Sequence, residues 1–85
     1  MFFLIDYDRP SGHLVRVESF ATAERERAAD ARLELELALH RDGVIDREVV
    51  ILEAANEQAL RRTHRRYFED LEGIAASMSG GPGHG

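Results

Sequence analysis

Asp6 and Asp8 are the first residues in this chain whose types and spacing suit chemistry. On a strand, alternate side chains share a face, so the two carboxylates would stand about 7 Å apart on one side. Such a pair suits a hard cation such as magnesium. No third ligand can be named. The ordinary role of carboxylates at a strand end is to shape the following turn through local hydrogen bonds. No metal and no cofactor is therefore expected. His13, His40, His64 and His84 show no ligand spacing either. Among them His64 draws most interest, because it falls in an apolar helical stripe with Leu60, Tyr67 and Leu71. A half-buried imidazole can titrate near neutral pH and act as acid or base. No second catalytic group accompanies it, so the expectation is a hydrogen-bonded core histidine and no enzyme activity.

The apolar run Phe2-Phe3-Leu4-Ile5 followed by Asp6-Tyr7-Asp8 resembles, over seven residues, the nucleophile strand of the haloacid-dehalogenase-like phosphatases. The rest of that pattern is missing. Arg9-Pro10-Ser11 stands where small residues are usual, and the chain has no lysine, so membership is not expected.

A second group with chemical potential is Arg61, Arg62, Arg65 and Arg66, which fall on one side of a helix. Four guanidinium groups on one face can grip phosphates, which makes RNA or DNA binding the alternative function. Three facts weigh against it. The net charge is −5, and every basic residue is arginine, as high-GC bacterial coding produces without selection for recognition. No aromatic residue is interleaved on that face for base stacking. The ordinary alternative is a solvated face paired with nearby carboxylates such as Glu57 and Glu69.

The elements that would carry these groups are well punctuated. Residues 2–9 read as a strand that is apolar on both faces. Arg9-Pro10-Ser11-Gly12 is a turn, and residues 13–20 form a second strand with Val15 and Val17 on one face and Arg16 and Glu18 on the other. From Thr22 to Arg41 there is no proline or glycine, and residues 23–41 contain no β-branched side chain. Helix formers dominate, with Thr22 as the expected cap and Gly43 as the terminator. Residues 48–53 read as a third strand, and Asn56 caps a second helix running to about Glu72.

The expectation is thus an α+β domain, β-β-α-β-α, over residues 1–76. Its three-stranded mixed sheet has order 2-1-3, with both helices covering one face. Residues 77–85 are expected to be a disordered glycine-rich tail. With 85 residues and no cysteine, there is one small core and no disulfide to staple it. The apolar start lacks a basic flank and is broken after five residues by Asp6, so no signal peptide or membrane span is expected, and the cytoplasm is the expected compartment.

The run Arg32-Leu33-Glu34-Leu35-Glu36-Leu37-Ala38-Leu39-His40 gives the functional expectation. On a helix, Ala28, Ala31, Leu35, Ala38 and Leu39 fall on one stripe. Ala29, Leu33, Leu37 and His40 form a second stripe on another side. One stripe suits the core; the other needs a second surface. Leu33, Leu37 and His40, with Glu36 at the rim, are therefore the candidate interface of a homodimer or of a protein partner.

Overall fold

The computed structural model describes residues 1–69. Strand β1 (Phe2–Asp8) lies in the centre of a three-stranded sheet, between β2 (His13–Phe20) and β3 (Arg47–Glu53). The expected order 2-1-3 is found. The sheet is not mixed: β1 is antiparallel to both neighbours. Strands β2 and β3 run the same way but are separated by β1, so no parallel pair is hydrogen-bonded. The central place suits β1, whose Phe3, Leu4 and Ile5 are at most 1% exposed.

The chain turns from β1 to β2 through Gly12, at φ +68°, whose N–H donates to the Asp8 carbonyl at 2.9 Å. This backbone angle favours glycine because it lacks a Cβ. The β1–β2 register slips between Asp6 and Tyr7: Asp6 faces Arg16, but Tyr7 faces Leu14. Val15 is the extra residue of this bulge. The slip corrects the expected alternation. Leu14 and Val17 pack on the same cluster, while Val15 is turned out and 43% exposed.

After β2, residues Thr22–Glu24 make one 3-10 turn before helix α1 (Arg25–Arg41). Thr22 does not cap the helix. Its hydroxyl accepts from the Met1 ammonium at 3.3 Å, and Glu24 instead accepts from the Ala21 N–H at 3.0 Å. The other end behaves as expected: Gly43 adopts φ +73°, and its N–H donates to the His40 carbonyl. Helix α2 (Glu57–Thr63) begins at Asn56, whose side chain accepts from the Ala59 N–H at 2.8 Å. It is much shorter than expected. The backbone leaves the helical region at His64, and Arg65–Tyr67 form a 3-10 turn.

The helices cover opposite faces of the sheet, not one. Phe2, Leu4, Val49 and Ile51 join Phe20 and the inner stripe of α1, Ala28, Ala31 and Leu35. On the other side, Phe3, Ile5, Val50 and Leu52 pack with Leu60 of α2 and with Tyr67 and Phe68. The physical reason lies in β1 itself. Its side chains are apolar at even and odd positions alike, and each set needs its own cover. Burying a large apolar side chain is worth about 1.5–3 kcal/mol, so leaving Phe3 and Ile5 in water would forfeit several kcal/mol. The expected domain limit at residue 76 and the expected tail at 77–85 lie outside the described residues.

Candidate functional site

The expected split of the leucines on α1 is found. Leu35 and Leu39 are partly buried on the sheet side, whereas Leu33 and Leu37 are 56% and 58% exposed. His40 and Glu36 are exposed beside them. Glu36 is held by Arg32 one turn earlier, at 3.3 Å, which leaves the leucine pair flanked by a neutralised ion pair. The apolar surface continues past the helix into the loop, where Val44 is 38% and Ile45 84% exposed.

Two hollows lie along the seam between α1 and β3. One, of about 280 Å³, is lined by Glu36, Leu39, His40, Ile45, Arg47 and Val49. The other, of about 320 Å³, is lined by Phe2, Arg25, Ala28, Ala29, Ile51 and Glu53. The α1–β3 side of the molecule therefore has a furrowed surface of mixed apolar and charged character.

The carboxylates of β1 are claimed by an arginine. Asp6 is only 3% exposed, and Arg47 donates to its Oδ2 at 2.6 Å. Arg47 also approaches Asp8 at 3.8 Å, and the Ser11 hydroxyl donates to Asp8 at 2.6 Å. Asp6 and Asp8 share a face as the strand period requires, and β3 places Arg47 directly opposite Asp8. The pair thus forms an internal ion-pair cluster, with the Arg47 guanidinium in the place a metal cation would take. The other Asp6 oxygen, Oδ1, is buried with no hydrogen-bond partner.

The arginine face is largely dismantled. Because α2 stops at Thr63, Arg65 and Arg66 do not continue its spiral. Arg61 pairs with Glu57 at 3.0 Å and lies 4.9 Å over the Phe68 ring. Arg66 turns away to the carboxylate of Glu48. Arg62 and Arg65 remain, with Arg61 and Gln58, around a shallow surface depression. His64 ends α2 with its backbone N–H donating to the Leu60 carbonyl at 2.9 Å, and it is only partly buried.

One polar cluster escaped the sequence reading. Glu48, 14% exposed at its side chain, accepts from the Tyr67 hydroxyl at 2.5 Å and from Arg66, and lies 3.5 Å from Arg9. Arg66 stacks 4.3 Å over the Tyr67 ring, and Tyr67 meets Tyr7 edge to face at 5.2 Å. The strand period does give a signal: Glu48 shares its face with Val50 and Leu52, which marks it as half-buried and in need of donors. Its partners come from a distant turn, which no local pattern reveals. The Tyr67 hydrogen bond, with the two arginines, holds the Glu48 carboxyl below its ordinary value near 4.5. Burial, reinforced by the adjacent carboxylate, raises the Tyr67 phenol above 10.0.

A depressed carboxylate binds protons less readily in the folded chain than in the unfolded one. Its stabilising effect is complete above about pH 4.5 and is lost as the pH falls through the lowered native value. Tyr67→Phe should therefore cost about 1.5–3 kcal/mol at pH 7, the range for a hydrogen bond to a charged group. The same variant should lose less stability than the wild type between neutral and acidic pH. Urea unfolding at several pH values measures both effects.

The fold and these clusters define a small α+β protein with an antiparallel three-stranded sheet. Comparison of the chain with protein-family models, with curated proteins and with solved structures gives no match. No helix among the described residues is long and apolar enough to cross a membrane.

Proposed function

We propose that this chain is a bacterial, cytoplasmic interaction module that works by self-association, with no catalytic role of its own. The contact is carried by Leu33, Leu37 and His40, with Glu36 at the rim. The observation behind this reading is the exposure of Leu33 and Leu37. They lie one turn apart and are more than half in water, on a helix whose other stripe already serves the core. Full burial of a leucine is worth about 1.5–3 kcal/mol, and a twofold contact doubles the number buried. Four such side chains can offset the several kcal/mol that association costs. A chain without cysteine suits a reducing compartment.

The test is to place charge on that apolar surface. Leu33→Glu with Leu37→Glu should convert the dimer to monomer, read by light scattering on the eluting protein. The circular dichroism and unfolding midpoint of the monomer should be unchanged, because neither side chain is in the core. A variant that remains dimeric would show that the contact lies elsewhere.

A nucleic-acid role retains one observation in its favour: Arg62 and Arg65 have no carboxylate partner among the described residues. It predicts a mobility shift of RNA or DNA at low salt that weakens when both are replaced. Arg61 and Arg66 are already engaged by Glu57 and Glu48, so protein association is the better supported reading.

A further inference from the structure

We propose that the second copy joins edge to edge on β3, in antiparallel register centred on Val50, so that two three-stranded sheets become one of six. This deepens the self-association reading and rests on it.

The two edges of the sheet differ. On β2 the edge is broken by the bulge at Val15 and carries His13, Arg16 and Glu18, devices that discourage further pairing. On β3 the register with β1 is continuous, and the strand reads Arg-Glu-Val-Val-Ile-Leu-Glu with no bulge, proline or glycine. An edge of that kind is a template for another strand.

The free groups on that edge can be identified. Asp46 accepts from the Arg9 N–H, and Ala54 donates to the Met1 carbonyl. Residues in an antiparallel ladder alternate in the direction of their backbone groups. Glu48, Val50 and Leu52 therefore bond inward to β1. Arg47, Val49, Ile51 and Glu53 point their N–H and C=O groups outward, and no strand pairs with them among the described residues.

One register satisfies all of these groups. With the twofold axis at Val50, Arg47 meets Glu53 of the second copy and Val49 meets its Ile51. A shift of two residues either way leaves an outward residue unmatched at the strand end. A shift of one would place the two α1 helices on opposite faces. The centred register also sets the Arg47 guanidinium against the exposed Glu53 carboxylate twice, and brings the exposed Ile45 towards exposed Ala55. Helix α1 lies across β3 and β1. With strands about 4.8 Å apart, it would stand about 10 Å from its twin, the spacing of packed helices. The side of α1 that borders β3 carries Ala29, Glu36 and His40. Leu33 and Leu37 stand above them on the helix, farther from the sheet, and close the top of the seam against their counterparts.

The experiment uses the absence of cysteine. In a pair whose backbone groups point away from each other, the Cα atoms are about 4.5 Å apart, which a disulfide can bridge. Val50→Cys should give a covalent dimer under mild oxidation, whereas Ser19→Cys on the other edge should not. The wild-type amides of Arg47, Val49, Ile51 and Glu53 should exchange more slowly as protein concentration rises. Glu53→Pro removes one outward N–H at an exposed position and spares the β1 ladder, so it should weaken the dimer while leaving the monomer folded. A dimer that exchanges freely at those amides, with no Val50→Cys cross-link, overturns the edge pairing and leaves the α1 contact standing. Edge amides protected equally in dilute monomer mean that the same chain covers the edge, and overturn it too. A protein that is monomeric throughout overturns both readings.

Discussion

Arg47→Met is expected to destabilise the fold by about 3 kcal/mol, and Asp6→Leu with Arg47→Met to recover most of that loss. Asp6 is nearly fully buried, and its one bonded oxygen depends on Arg47. Removing one partner of a buried ion pair costs about 3–5 kcal/mol, because the other charge is left without compensation. Arg47 retains 23% of its side-chain exposure, which places the effect at the lower end of that range. A domain of this size has little margin to absorb such a loss, since native stabilities are only about 5–15 kcal/mol. The double variant removes both charges and fills the space with apolar groups, an exchange that is often neutral or better. Urea denaturation of the three proteins at pH 7 measures the difference. A near-neutral Arg47→Met would show that Asp6 finds its compensation elsewhere.

Phe3→Ala and Leu4→Ala should each be severely destabilising, by about 3–5 and 2–5 kcal/mol respectively. They are adjacent in the chain and at most 1% exposed, yet they belong to different cores. Phe3 packs with Leu60, Tyr67 and Phe68, and Leu4 packs with Phe20 and Ala28. The pair therefore tests the two-sided architecture. Were both helices on one face, one of the two substitutions would fall on a wet surface and cost little. A large loss in denaturant midpoint for both variants is the expected result.

The strands, the long helix and the strand order were legible because each rests on local signals. Gly12 and Gly43 mark turns, Phe2–Ile5 is apolar throughout, and the segment from Thr22 to Arg41 has no breaker. The division of α1 into an inner and an outer stripe followed from helical period alone. What was missed depends on the third dimension. Periodicity places Leu60 and Tyr67 on an apolar stripe, but it does not say which face of the sheet they will cover. The two-sided apolarity of Phe2–Ile5 held that information, since both sets of side chains need burial. The bulge at Val15 was hidden because Leu14, Val15 and Val17 are all apolar and fit either phase of an alternating strand. At the candidate site, the exposure of Leu33 and Leu37 was legible, whereas the capture of Arg66 by Glu48 was not. These two residues are eighteen positions apart, and the break at His64 that brings them together carries no glycine or proline.

The central claim is self-association through α1, and the most direct measurement is the mass of the wild-type protein in solution as a function of concentration. Light scattering across the micromolar range should show a mass rising from the monomer value of 9.6 kDa towards twice that figure. A mass that stays at the monomer value at high micromolar concentration would contradict the account.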